Sequence, residues 1–278
     1  MNHPIKMIVS DLDGTLLRTD KSISEHTKSV LALCRKSGIK VVYATGRGGS
    51  ADRVAPSGFF DGKITMNGAV AKISSAAKYT DSAITDSPAF DFTSADFTIV
   101  YNRLIPYQTA RPLLIACDKR GLKITSEMSG MHYSNFDVSA KWPNFINSEE
   151  FKITDFSQHD IDAEKIYSTD LTPEDVLFIK KQLPDTLHFI MARDGLAQIM
   201  HKEATKSKAI AELAHIWGIA PSEIVAFGDD LNDIDMLSFV GIGVAMENAL
   251  DEVKSVSDFV CLSNDEDGLA KWIEKLLT

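Results

Sequence analysis

Short apolar runs alternate with amphipathic, helix-length stretches at both ends of this 278-residue chain, and that alternation restricts the fold more than any other feature. Ile5 to Ser10 reads as a buried strand. Ser24 then offers an N-cap hydroxyl with Thr27 at the third position, Val30, Leu31, Leu33 and Cys34 recur at helical spacing, and Gly38 closes the helix. Ile39 to Ala44 is a second buried strand and Asp61 to Met66 a third. The rhythm returns further on. Thr205 to Trp217 reads as a helix stopped by Gly218, Ile224 to Gly228 and Gly241 to Met246 as strands, and Ala249 to Val256 and Gly268 to Leu277 as helices. Strands joined through helices need crossover connections, which lay parallel strands side by side under covering helices. The chain is therefore expected to be α/β, with residues 1–82 and 191–278 forming two parts of one Rossmann-like parallel-sheet domain.

Residues 83–190 differ in texture and read as an inserted α+β domain. They hold 14 of the chain's 23 aromatic residues and short alternating runs such as Leu122 to Thr125 and Lys165 to Thr169. Thr109 to Arg120 and Thr172 to Leu183 read as helices, the second with Thr172 at the N-cap, Pro173 after it and Glu174 and Asp175 in the first turn. Tyr133, Phe136 and Trp142 are candidates for a specificity wall, although aromatic residues at alternating spacing more often form core.

Charge and composition remove several function classes. Lys plus Arg number 29 against 39 Asp plus Glu, a net charge of −10, and neither the insert at −6 nor the base at −4 is a basic module. Nucleic-acid binding needs clustered cations that no stretch supplies. No apolar run approaches the roughly 18 residues of a membrane-spanning helix, and Met7 to Val9 is too short for a signal-peptide core, so the chain reads as cytoplasmic with no membrane partner. Cys34, Cys117 and Cys261 are odd in number and widely spaced, which encodes neither a disulfide framework nor a zinc site. No segment points to a protein partner.

Acidic residues stand where the strands end. The first strand runs directly into Asp11-Leu12-Asp13-Gly14-Thr15, and ligands of open α/β sheets bind beyond the C-terminal strand ends. In extended backbone, residues i and i+2 face the same way, so Asp11 and Asp13 project side by side. Their repulsion calls for a hard cation, although Asp-x-Asp-Gly is also an ordinary turn composition. An EF-hand loop is excluded, because Leu16 and Ser22 stand where its glycine and its bidentate glutamate belong.

The second strand leads into Thr45-Gly46-Arg47-Gly48, a hydroxyl with small-residue amides that suits a phosphate oxygen or a plain glycine turn. Gly46, Gly48 and Ala51 also match the dinucleotide fingerprint, but Met66, Asn67 and Gly68 lie about 20 residues further on, where a ribose-binding acid belongs. After Ile224 to Phe227 come Gly228-Asp229-Asp230-Leu231-Asn232-Asp233, in which Asp229 and Asp233 form the inward pair once a helix begins, while Asp230 and Asp235 can point to water. Lys206, near a helix start, is a candidate counter-charge for carboxylates and phosphate.

Asp11-Leu12-Asp13-Gly14-Thr15, Thr45-Gly46-Arg47, Lys206 and Gly228-Asp229-Asp230-Leu231-Asn232-Asp233 occur in the order and approximate spacing of the haloacid-dehalogenase (HAD) superfamily of phosphohydrolases, which the chain resembles. Asn67-Gly68-Ala69, Gly243-Val244-Ala245-Met246-Glu247-Asn248-Ala249 and Asn264-Asp265-Glu266-Asp267-Gly268 resemble its Cof-type branch, whose α/β cap (type IIB) is inserted between the second and third motifs. Departures are Ser207 after the lysine and Asp230 and Glu247, at positions where relatives often carry Gly, and Gln198, where an acid is common.

The resemblance implies roles. Asp11 would be the nucleophile, already ionised at neutral pH because an unperturbed aspartate titrates at about 3.9, and Asp13 the acid and then the base. Mg²⁺ would be held by Asp11, the Asp13 backbone carbonyl and Asp229, with Asp233 in support. Leu12, Thr45, Gly46, Lys206 and Asn232 would bind the transferring oxygens, with Arg47 and Asn67 near the leaving group. The implied activity is a Mg²⁺-dependent phosphatase of small-metabolite phosphomonoesters, such as sugar phosphates, acting through an aspartyl-phosphate under a closing cap. A sugar-phosphate mutase or phosphotransferase shares the first half-reaction. A non-catalytic binder of phosphorylated ligands has no need of Asp11 or Asp13.

Overall fold

The computed structural model describes residues 4–75, 97–142, 148–191 and 195–277. The first part of the base contains β1 (Met7–Ser10), α1 (Glu25–Lys36), β2 (Lys40–Ala44), α2 (Ala51–Val54), β3 (Gly62–Thr65), β4 (Val70–Ser74) and β5 (Phe97–Asn102). The intervening segment contains α3 (Tyr107–Lys119), β6 (Lys123–Met128), β7 (Met131–Ser134), α4 (Val138–Lys141), β8 (Phe151–Ile153), β9 (Lys165–Thr169), α5 (Pro173–Gln182), β10 (Leu187–Met191) and β11 (Ala197–His201). The chain then returns through α6 (Lys206–Trp217), β12 (Ile224–Gly228), α7 (Ile234–Phe239), β13 (Ile242–Ala245), α8 (Asp251–Val256), β14 (Phe259–Val260) and α9 (Gly268–Leu277).

The base sheet has the order β14-β13-β12-β1-β2-β3-β4-β5. Its six strands from β14 to β3 run parallel, and β4 pairs antiparallel with β3. Met7, Ile8 and Val9 of β1 and Val225, Ala226 and Phe227 of β12 are fully buried. That burial on both faces explains why these strands read as unbroken apolar runs. Helix boundaries follow local signals. The Ser24 hydroxyl accepts from Thr27 N–H at the start of α1, and Thr205 caps α6, which Gly218 ends in a left-handed conformation. Helix α1 packs against α9, and α6 against α7.

The second sheet has the order β10-β11-β9-β6-β7-β8 and is mostly antiparallel, with only β7 and β8 parallel. Its own core gathers Leu113, Leu114, Ile124, Ile166, Ile179 and Ile199. Thr172 and Asp175 form the reciprocal capping pair at the start of α5. Tyr133 stacks edge-on against His159, and Trp142 against Tyr167.

The break between the two units falls later than the 83–190 expected. Residues 102–204, with which 48–50 group, form one compact unit, and the rest of the chain forms the other. Residue 83 lies outside the described residues, but β5 is an edge strand of the base sheet. At the far end, β11 pairs with β9 and β10, so the chain rejoins the base at Thr205 rather than at 191. Strand partnership, which periodicity does not encode, decides both ends. Among the described residues, no helix is long and apolar enough to cross a membrane.

Candidate active site

From β1 the chain moves outward through β2 and β3, then returns to β12 on the other side of β1 and continues through β13. The β1–β12 boundary is thus a topological switch point, where an α/β sheet leaves a crevice beyond its strand ends. Ser10 pairs with Phe227 across that boundary, and Asp11 N–H donates to Phe227 O at 3.0 Å. Asp11 and the turn at Asp229 therefore emerge together.

Lys206 joins the two turns. It lies at the first residue of α6, is fully buried, and its Nζ donates to Asp11 Oδ1 and to Asp233 Oδ1, each at 2.6 Å. The other Asp233 oxygen accepts from the backbone N–H groups of Asp229 and Asp230 at 2.9 and 3.1 Å, so this buried acid shapes the turn that carries Asp229. Thr15 O–H donates to Asp229 Oδ1 at 2.7 Å. Gly14 is required there, since a Cβ at its φ of +83° would stand 2.4 Å from Asp229 Oδ2.

One carboxylate oxygen from each of Asp11, Asp229 and Asp233 lies within 4.8 Å of the others. Burial raises the Asp11 pKa well above the ordinary carboxylate range, opposed by Lys206 and reinforced by the neighbouring acids. Burial likewise pushes Asp229 up to about 7, partly offset by the Thr15 hydrogen bond. Although burial opposes its charge, Lys206 is held protonated by Asp11 and Asp233. A cluster of carboxylate oxygens in which burial holds Asp11 and Asp229 toward their neutral forms fits a hard divalent cation, which would remove that penalty.

Asp13 is placed differently. Its Oδ1 accepts from Arg47 Nη2 at 2.7 Å and from Lys21 Nζ at 2.9 Å, and its Oδ2 accepts from Arg47 Nε at 2.5 Å. Burial works to raise its pKa, but the hydrogen bonds and charges of Arg47 and Lys21 prevail and lower it. Arg47, expected near a leaving group, is thus engaged with Asp13.

The remaining predicted residues form a second chain of contacts. Asn67 N–H donates to Thr45 O at 2.9 Å, and Asn232 Nδ2 donates to Asn67 Oδ1 at 2.9 Å. Thr45 Oγ1 accepts from Arg47 N–H at 3.1 Å, which closes the turn containing Gly46. Asn67 has left-handed φ and ψ of 50° and 30°. Next to it, a Cβ on Gly68 would stand 2.1 Å from Thr205 O, so this turn seats directly on the start of α6. The Leu12 side chain belongs to the apolar core, which leaves only its backbone for a phosphate.

Asp235 is partly exposed, and its Oδ2 accepts from Ser207 N–H at 2.9 Å, which ties the Lys206 turn to α7. Asp230 caps the short turn after β12 through Leu231 N–H at 2.7 Å. Gln198 lies on β11 of the second unit, opposite Tyr167 and Ile190. Sequence reasoning assigned no contact to Thr15, Lys21 or Asn248. Thr15 lay inside a recognised motif, whereas an isolated lysine in a polar turn carries no signal.

Comparison with known proteins identifies the family. Residues 8–273 match the family model of haloacid dehalogenase-like hydrolases. The phosphatase YwpJ of Bacillus subtilis is 28% identical, over 98% of this chain and all of its own length. The 5-amino-6-(5-phospho-D-ribitylamino)uracil phosphatase YwtE of the same organism is also 28% identical, over 99% of each chain. Among solved structures, the phosphatase BT1666 of Bacteroides thetaiotaomicron aligns with a TM-score of 0.79 at 25% identity, covering 99% of this chain and 96% of its own. The HAD subclass IIB sugar phosphatase BT4131 aligns with a TM-score of 0.75 at 25% identity, covering 97% of this chain and 98% of its own. With a family match across nearly its whole length and phosphatase relatives covering it end to end, the chain belongs to the haloacid dehalogenase-like hydrolases and is a phosphoric monoester hydrolase.

Proposed function

We propose that this phosphatase depends on Mg²⁺, acts on small phosphorylated metabolites such as sugar phosphates, and proceeds through an aspartyl-phosphate at Asp11. The placement of Asp11 carries the reading: it is buried at the end of β1, 2.6 Å from the Lys206 ammonium and clustered with Asp229 and Asp233. A carboxylate that attacks an anionic phosphate needs its own charge offset, and Lys206 supplies part of that. Asp11, Asp229 and the Asp13 backbone carbonyl would hold the cation, with Asp233 in support through the turn it shapes. Bound there, Mg²⁺ would offset the charge of the phosphate and of the carboxylates.

The chain's own groups account for the proton and bond changes. An Asp11 oxygen bonds to phosphorus while the ester oxygen leaves with its electron pair and takes a proton from Asp13. Water then attacks phosphorus and gives a proton to Asp13, and Asp11 departs as a free carboxylate with release of inorganic phosphate. Lys206, Asn232, Thr45, Gly46 and the Leu12 amide would bind the transferring oxygens. Arg47 and Lys21 favour the charged form of Asp13, the form needed to accept the proton of water. For the first half-reaction Asp13 must carry a proton, which fits on Oδ2 once Arg47 Nε releases that oxygen, while Lys21 keeps its bond to Oδ1. Arg47 and Asn67 would then face the leaving group.

The substrate class rests on relatives, one named for a phosphorylated ribitylamino-uracil and one a sugar phosphatase. The test is phosphate release from p-nitrophenyl phosphate and a panel of sugar phosphates, with and without Mg²⁺, beside Asp11→Asn. Turnover that needs Mg²⁺ and is lost in Asp11→Asn supports the reading. Metal-independent turnover, or an active Asp11→Asn variant, overturns it. Phosphate passed to a second sugar rather than released would identify a mutase.

A further inference from the structure

We infer that Lys21 is a positioning residue for the Asp13 carboxylate, presented by the loop after β1 and secured by the C-terminal turn that clamps that loop. The inference rests on the proposed reading of Asp13 as the proton-transfer group. Lys21 is a non-glycine residue at a φ of +67°, a left-handed conformation that side chains disfavour. A compact turn imposes it. Lys21 N–H donates to Arg18 O at 2.9 Å, Arg18 N–H to Ser22 O at 2.9 Å, and Asp20 Oδ1 accepts from both Ser22 N–H and Ser22 O–H at 2.9 and 2.6 Å. The result brings the lysine ammonium 2.9 Å from Asp13 Oδ1.

The loop is also fastened from outside by residues that the proposed chemistry leaves unused. Asn248 Nδ2 donates to Gly14 O at 2.7 Å, and Asn264 Nδ2 to Leu17 O at 2.8 Å. Asp265 accepts from Thr19 N–H and Thr19 O–H at 2.8 and 2.7 Å, and the Arg18 guanidinium grips both oxygens of Asp267 at 3.3 and 2.8 Å. The Asn264-to-Gly268 motif thus acts at a distance on the active-site loop. An ion pair with both side chains more than a third exposed, as Lys21 and Asp13 are, adds little stability, so stability alone does not explain a strained and heavily clamped turn.

The geometry supplies a reason. Asp13 is partly exposed, and proton transfer needs its oxygen within hydrogen-bond reach and in line with the ester oxygen. Arg47 approaches from the turn after β2 and Lys21 from the loop after β1, and together they fix the carboxylate from two elements.

The test compares Lys21→Met, Lys21→Arg and Asp265→Ala with the parent enzyme, Mg²⁺ present, on p-nitrophenyl phosphate and on an alkyl phosphate such as glycerol phosphate. The aryl leaving group needs little protonation and the alkoxide needs it fully. Lys21→Met should lower kcat on the alkyl ester about tenfold more than on the aryl ester, with KM changed less. Lys21→Arg should recover most of that selectivity, and Asp265→Ala should show a weaker form of the same bias. Equal losses on both esters, or a change confined to KM, overturn the inference. Asp13→Asn separates the two levels. If it shows the leaving-group bias and Lys21→Met does not, only the role of Lys21 fails, whereas no bias in Asp13→Asn removes the reading of Asp13 as the acid and this inference with it.

Discussion

The ammonium of Lys206 donates to Asp11 Oδ1 across 2.6 Å, and the lysine side chain is completely shielded from water. The two residues are 195 positions apart in sequence, so the bond exists only because α6 and β1 meet in the base. Breaking a buried pair by removing one partner leaves an uncompensated charge and costs about 3–5 kcal/mol. Lys206→Met should therefore unfold at markedly lower urea concentration in metal-free buffer and lose turnover. A variant as stable as the parent would show that the surrounding acids are neutral without the lysine.

Divalent metal should stabilise the protein in a pH-dependent way. The Asp229 pKa is raised to about 7, above its value of about 3.9 in the unfolded chain. Its contribution to metal-free stability is present below about pH 3.9 and is lost as pH rises through about 7. A bound cation restores that loss at neutral pH, so the Mg²⁺-induced rise in Tm should be larger at pH 8 than at pH 6. Calorimetric titration in buffers of different ionisation enthalpy should detect protons released on Mg²⁺ binding at pH 6.

Gly14→Ala should uncouple folding from metal binding. The added methyl would meet Asp229 Oδ2 at 2.4 Å in a backbone conformation with a φ of +83°. The far-ultraviolet circular dichroism of the parent should persist, while the Mg²⁺-induced rise in Tm disappears. A variant with the full metal response would mean that the Asp229 turn gives way easily.

Two histidines, one in each unit, should bend the stability profile in opposite directions. The pKa of His26 is raised, first by its hydrogen bond to Glu274 and further by Asp267, so its stabilisation is full below about pH 6.5 and fades as pH rises through the folded value. The pKa of His159 is lowered, chiefly by burial, and its Nε2 has no hydrogen-bond partner among the described residues, so the second unit loses stability as pH falls below about 6.5. In urea unfolding, His26→Ala should cost more at pH 5.5 than at pH 8, and His159→Leu more at pH 8 than at pH 5.5.

Much of the site was legible because its parts are local. β12 and α9 occupy the stretches predicted, and Thr205 and Gly218 bound α6 as their cap chemistry requires. Asp11, Asp13, Asp229 and Asp233 were identifiable because acids immediately after fully apolar strands conflict with burial unless something compensates them. What those acids touch was not legible. Arg47 turned out to grip Asp13, Asp235 to hold Ser207, and Lys21 to reach back over eight residues to Asp13.

Local signals are enough for the α/β class, the acids at the strand ends and the helix caps, because periodicity, turn composition and capping act within a few residues. Tertiary structure decided the rest. It assigned β11 to the inserted sheet, brought Lys206 between Asp11 and Asp233, and fastened the Asn264-to-Gly268 turn to the loop after β1. Such contacts depend on strand order and on which buried charges find partners, and both are settled only when segments far apart in sequence pack together.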